Sequence, residues 1–239
     1  MNSFLLAFQL LTIIPISHSY IASDKQLGYS SLYYPLIGLF IGGILAIASV
    51  VLASIPVQIQ AVVILMLWVL LTGGLHLDGL ADCADAWVGG LASKQRSLEI
   101  MKDPASGPIA VVILILVLLL KWAIISHLLE QQNFIVLLIT PMVGRLSILL
   151  LMLSTNYIRT GGMAEKLVEN LPRTNAYFLS SVCMLIGLYY LGILAIGFML
   201  LILFLIAYQA KNRLGGVTGD VYGAAVELVE VGVLLGAII

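Results

Sequence analysis

The chain has 239 residues, of which 62% are hydrophobic and only 10% charged, against about 25% charged in an ordinary soluble domain. With a net charge of −1 no basic face stands out, and no nucleic-acid partner is expected. The composition calls for an all-α polytopic integral membrane bundle whose outer surface meets membrane lipid.

The opening, MNSFLLAFQLLTIIP, lacks a basic first stretch and a small-residue cleavage site. It reads as an interfacial helix or a short first span, not as a removable signal peptide. Residues 17–31, with His18, Asp24 and Lys25, are expected to form a polar loop. Apolar runs at 32–55 and 57–75 follow, divided only by the Pro56 region, and predict a transmembrane hairpin.

From 75 to 107 no segment is apolar enough to span, and Lys94, Arg96 and Lys102 fall here, which places it on the cytoplasmic side. Runs at 108–129 and 134–153 predict a second hairpin with residues 130–133 at its outer turn. The loop after it carries Arg159, Lys166 and Arg173 and is cytoplasmic by the same rule. The run 176–208 would be about 50 Å long as one helix, beyond a ~30 Å hydrocarbon core, so two short spans turning near 190–192 are expected. That arrangement keeps Lys211 and Arg213 cytoplasmic, and a final apolar helix runs to Ile239. The total is about seven or eight membrane segments by hydropathy. No repeat or separate soluble domain is evident, so residues 1–239 are read as one domain. The composition leaves open whether the chain forms a homo-oligomer.

Eight of the twelve acids fall in two places, Asp78, Asp82, Asp85, Glu99 and Asp103, then Asp220, Glu227 and Glu230. On a helix, Asp78, Asp82 and Asp85 share one stripe, and carboxylates on one stripe repel. In GGVTGDVYGAAVELVE the stripe is Asp220, Gly223, Ala224 and Glu227, whose small members allow close approach of a helix or ligand. Two acidic stripes beginning at one membrane face can coordinate a hard cation. Glu99 and Glu230 are read as solvated helix-end acids. His76 precedes Asp78 by two positions and points away from it on a helix, which favours a hydrogen-bonding role with a base as the alternative.

Arg145, in the apolar run PMVGRLSILL, needs an acid or an anionic substrate as partner. Lys102 and Arg96, in QRSLEIMKDP, are candidate phosphate donors. Lys121 is expected to snorkel or to pair with Glu130. Cys83 and Cys183 lie far apart and read as buried apolar thiols. Acids for Mg²⁺, cations for phosphate and a cytoplasmic face together suggest transfer of a phosphate-linked group.

Three blocks, GGLHLDGLADCAD, EIMKDPASGPIAV and GGVTGDVYGAAVE, resemble the signature blocks of the cobalamin synthase family of bacterial vitamin B12 assembly. Block order, overall length and the opening FLLAFQLLTIIP fit as well, so the resemblance covers essentially the whole chain. It implies an adenosylcobinamide-GDP ribazoletransferase of the bacterial cytoplasmic (inner) membrane. Such an enzyme joins adenosylcobinamide-GDP to α-ribazole or its 5′-phosphate with Mg²⁺, gives adenosylcobalamin or its phosphate, and releases GMP. On that basis Asp78, Asp82, Asp220 and Glu227 are expected to hold metal on the diphosphate. Asp85 is the first candidate base and His76 the second, and Lys102, Arg145 and Arg96 are expected on phosphate. The spaced aspartates also look like those of CDP-alcohol phosphotransferases, although the arginine and further spacing of that family are absent from DGLADCAD. An ion-coupled transporter with Arg145 and the acids along its pathway is the reading from a different class.

Overall fold

In the computed structural model, residues 3–15, 22–91 and 93–239 are described. In chain order the helices are α1 (Ser3–Leu11), α2 (Asp24–Ser30), a 3₁₀ turn (Ser31–Tyr33), α3 (Tyr34–Val51), α4 (Val57–Thr72) and α5 (Leu75–Gly89). They continue with α6 (Lys94–Ile100), α7 (Pro108–Glu130), α8 (Phe134–Ser154), α9 (Met163–Glu169), α10 (Arg173–Leu214) and α11 (Gly219–Gly236). The all-α expectation therefore holds. The bridge between Tyr157 and Val217 is the one extended pairing among the described residues.

Four stretches are long and apolar enough to cross a membrane: Asp24–Val51, α7, α8 and α10. The pair α4 and α5 meets the same test only when joined across an 88° bend, which makes a fifth. The sequence expectation of seven or eight segments is higher for identifiable reasons. It counts α1, which has nine residues, and α11, which carries Asp220, Glu227 and Glu230. It also counts both halves of α10. Gly192 interrupts that helix with φ 84° and ψ 172°, a conformation that glycine adopts without strain. A Cβ built on Gly187 would lie 3.0 Å from Ile196 Cδ1, whereas a straight helix would separate residues nine apart by about 13 Å. The chain therefore folds back at Gly192, at the end of the expected 190–192 turn.

The expected loop at 17–31 divides differently. His18 lies outside the described residues. From Asp24 the chain is helical, because Ser23 and Gln26 form a capping box that satisfies the first free amides of α2.

The bundle is organised around α8 and α11. Helix α3 packs on α8, and α11 packs against α5, α7, α8 and α10. Any Cβ on Gly38 or Gly42 would strike the carbonyl oxygens of Pro141 and Leu138. This four-residue glycine spacing lets the backbones of α3 and α8 approach closely, as in other membrane helix pairs. Between α4 and α5, Gly73 and Gly74 both take left-handed angles, φ 62° and 70°. Their tandem turn swings α5 across the end of α11. Helix α5, at 15 residues, is too short to span by itself and packs against α11, α7 and α6.

Candidate active site

The site begins where α5 crosses α11. A Cβ on Gly79 would come 2.7 Å from the Asp220 carbonyl oxygen, and one on Gly223 would meet the backbone of His76 at 3.3 Å. Only residues without side chains allow this contact, and it brings Asp78 and Asp82 of α5 to the first turn of α11, where Asp220 sits. Asp78 and Asp220 line one cavity of about 280 Å³ together with His76, Tyr34 and Tyr222.

The acids act on one another. Burial, and after it the negative charges of Asp78, Asp220 and Asp85, pushes the Asp82 carboxyl up to about 6, with Arg159 opposing. Burial also raises Asp220, while Arg159 and the Thr218 hydroxyl favour its charged form. An accumulation of partly buried like charge is relieved by a bound cation.

Oxygen donors of this type suit a hard divalent ion. Among the described residues no three His, Cys, Asp or Glu side chains stand close enough to enclose a metal unaided. That fits Mg²⁺, which is ordinarily held by one or two carboxylates with substrate phosphates and water completing the shell.

Asp85 leaves this group despite sharing the stripe. Its carboxylate accepts hydrogen bonds from the backbone amides of Gly107, at 2.5 Å, and Ala110, at 3.0 Å. It caps the N-terminus of α7, each oxygen accepting one backbone amide there. The expectation of Asp85 as first-choice base is therefore revised in favour of a capping role.

Two more expectations change. Glu227, read as a metal ligand, accepts from Lys121 Nζ at 2.7 Å. Arg145, read as a phosphate ligand, is fully buried and pairs with Glu230, which also accepts from Lys121 at 2.6 Å. A buried charge needs a partner, and these two carboxylates and two cations balance each other's charge. Lys121 therefore pairs with Glu227 and Glu230, not with Glu130, and Glu230 is wholly buried, not a solvated helix end. The Lys121 ammonium also lies 4.6 Å above the Trp68 ring, a cation–π contact.

Of the candidate phosphate donors, Arg96 pairs with Glu99 at 3.4 Å on the exposed face of α6. Lys102 lines a separate cavity of about 140 Å³ with Leu98, Ile158 and Arg159. Arg159 is the residue that sequence reasoning missed, having been counted only as a topology signal. Its guanidinium lies 3.4 Å from the Asp220 carboxylate. The Val217 amide donates to Asn156 and the Ile158 amide to Val217, and this ladder carries Arg159 to the start of α11. His76 is 3% exposed, and neither ring nitrogen has a hydrogen-bond partner among the described residues. Cys83 and Cys183 are free and buried, as expected.

A helical membrane protein with an acidic pair of helices facing a basic cavity is the class that this architecture defines. Residues 3–238 match the family model described as cobalamin-5-phosphate synthase. The chain is 46% identical over 234 residues to an adenosylcobinamide-GDP ribazoletransferase of Pseudomonas fluorescens, covering 97% of this chain and 96% of that protein. It is 43% identical over 233 residues to the protein of that name from Acinetobacter baumannii, covering 96% and 94% of the two chains. Over 237 residues it is 46% identical to the one from Stutzerimonas stutzeri, covering 97% and 96%. No solved structure matches it. The chain belongs to the cobalamin-5-phosphate synthase family, and it is a transferase of cobalamin assembly.

Proposed function

We propose that this chain is an adenosylcobinamide-GDP ribazoletransferase that works at the cytoplasmic face of a bacterial inner membrane. The observation that carries the reading is the meeting of Asp78 and Asp82 with Asp220 at the glycine-lined crossing of α5 and α11, beside the Lys102–Arg159 cavity. Carboxylates next to cations suit a metal-bound diphosphate.

In the reaction, the 3′-hydroxyl of α-ribazole attacks the phosphorus next to the cobinamide arm. The new O–P bond forms as the bond from that phosphorus to the bridging oxygen breaks, and GMP leaves with the electron pair. Bound Mg²⁺ would neutralise charge on the diphosphate oxygens. Asp78 and Asp220, which line one cavity, would supply its carboxylate ligands with Asp82 beside them, and Arg159 steadies Asp220 while presenting its remaining donors to phosphate with Lys102. With Asp85 capping α7, His76 is the candidate for the hydroxyl proton: neither ring nitrogen has a hydrogen-bond partner among the described residues and its cavity is shared with Asp78 and Asp220, while burial and the charges of Arg145 and Lys121 hold its pKa well below the ordinary value.

The membrane face is supported by the grouping of cations at one end of the bundle. Arg213 donates to the Trp87 carbonyl, Lys166 pairs with Asp24 and Arg159 pairs with Asp220. An excess of Lys and Arg marks cytoplasmic loops. The test is GMP release by the purified protein in proteoliposomes, supplied with adenosylcobinamide-GDP, α-ribazole and Mg²⁺. The reading requires release that depends on all three.

A further inference from the structure

Helix α5 carries its aspartates on one face, and Leu80, Cys83, Ala84 and Trp87 fall on the opposite one. These four line an apolar cavity of about 350 Å³, closed by Ile113 of α7, Leu205 of α10 and Leu228 of α11. A second cavity of about 310 Å³ shares Leu205 and Leu228 and continues between α10 and α11 to Leu235. Together they form a groove that follows α11 from Val221 to Leu235, about 21 Å at 1.5 Å per residue. Within α11 every half-buried residue after Asp220, namely Leu228, Val231 and Leu235, lies on it. Val88 and Leu205 on its walls are exposed, so the groove opens on the outside of the bundle.

One end of the groove is basic. The Arg213 guanidinium lies 5.8 Å from the Trp87 ring, one helical turn beyond Gln209 in the wall. Lys94 reaches the same end of α10, its ammonium 2.7 Å from where a Cβ on Gly215 would stand. Neither cation forms an ion pair among the described residues. We infer that the groove binds a membrane phospholipid with an anionic headgroup, its acyl chain along α11 and its headgroup at Arg213 and Lys94. The length suits a chain crossing one leaflet of a ~30 Å hydrocarbon core. Unpaired cations where a groove between membrane helices meets the interface select an anionic headgroup over a zwitterionic one. A second copy of this chain is excluded as occupant by width, since cavities this small over that length leave no room for a helix about 10 Å across.

The test is native mass spectrometry of the full-length protein released from detergent micelles, titrated with phosphatidylglycerol or phosphatidylcholine. Binding is read without turnover, so the result is independent of the transferase reading. The wild type should retain one phosphatidylglycerol per chain and hold phosphatidylcholine more weakly. A cation near a headgroup is worth about fivefold in affinity. Arg213→Gln and Lys94→Gln should therefore each weaken phosphatidylglycerol by about fivefold and leave phosphatidylcholine unchanged. Leu228→Phe, which blocks the groove midway, should weaken both lipids. Lys94 is exposed and unpaired, so the lipid-free melting temperature of Lys94→Gln stays level and that variant keeps the test decisive if Leu228→Phe fails to fold. Equal retention of the two lipids by the wild type overturns the inference, as does wild-type affinity for phosphatidylglycerol in Lys94→Gln and Arg213→Gln. Displacement of the lipid by equimolar inorganic phosphate, or a folded Leu228→Phe that binds as the wild type does, shows an anion site without the groove and overturns it too. A dimer of the chain in place of a lipid adduct does the same.

Discussion

Lys121 of α7 reaches across the bundle to Glu230 of α11, with its ammonium 2.6 Å from the carboxylate and both side chains almost fully buried. Glu230 also receives Arg145 of α8, and Glu227 takes a second bond from Lys121. Three helices are thereby joined by two cations and two carboxylates, a set of zero net charge in which Arg145 Nε has no hydrogen-bond partner among the described residues. Removing one member leaves an unpaired buried charge. Lys121→Met should therefore destabilise the protein by about 3–5 kcal/mol, read as a fall in melting temperature in detergent. The double variant Lys121→Met with Glu227→Gln should recover part of that loss. Glu227→Gln alone should lower stability without changing the Mg²⁺ concentration needed for half-maximal activity.

Asp85 gives the sharpest separation of structure from chemistry. As the cap of α7, it should tolerate Asp85→Asn with most activity retained, because the amide oxygen still accepts from Gly107 or Ala110. Asp85→Ala should cost about 1–2 kcal/mol of stability through the lost cap. A general base would behave otherwise, since its loss lowers kcat by about 10²–10⁴. Steady-state GMP release and thermal unfolding of the two variants decide between these outcomes.

These two cases show what the sequence discloses and what it hides. The helical stripe is a local property, so the grouping of Asp78 and Asp82 is legible from spacing alone. Asp85 obeys the same spacing, but its partners lie 22 and 25 residues further on, and no local pattern reports a cap provided by another helix. The need of Arg145 for a partner follows from its apolar surroundings. The identity of that partner does not, because Glu230 is 85 residues away and is placed there by tertiary packing. Arg159 is hidden for the same reason, being brought to Asp220 by the Asn156–Val217 pairing. The helical fold and the break at Gly192 are legible from hydropathy, length and glycine. The span count is not, because polar and short helices inside the bundle follow no hydropathy threshold.

The phosphate side predicts a graded series. Lys102→Ala and Arg159→Ala should each raise the KM for adenosylcobinamide-GDP by about tenfold, the loss of a charge-assisted hydrogen bond of about 1.5 kcal/mol. Arg96→Ala should be silent, because an exposed pair such as Arg96–Glu99 contributes about 0–1 kcal/mol and has no part in the site. Donor titrations at saturating α-ribazole measure all three.

Chelation should separate catalysis from folding. The carboxylates of α5 and α11 do not enclose an ion by themselves, and the helix crossing is packed through Gly79 and Gly223. EDTA should therefore abolish GMP release, added Mg²⁺ should restore it, and the melting temperature should stay the same throughout. A large fall in melting temperature on chelation would mean that the metal is structural, contrary to this account.

The central claim is that Asp82 of α5 and Asp220 of α11 act together on the donor diphosphate. Its most direct measurement is GMP release from adenosylcobinamide-GDP in proteoliposomes by the wild type, Asp82→Asn and Asp220→Asn. The account predicts release by the wild type that depends on α-ribazole and Mg²⁺, and a loss of about 10² or more in each variant at unchanged melting temperature. Full activity in both variants would contradict it.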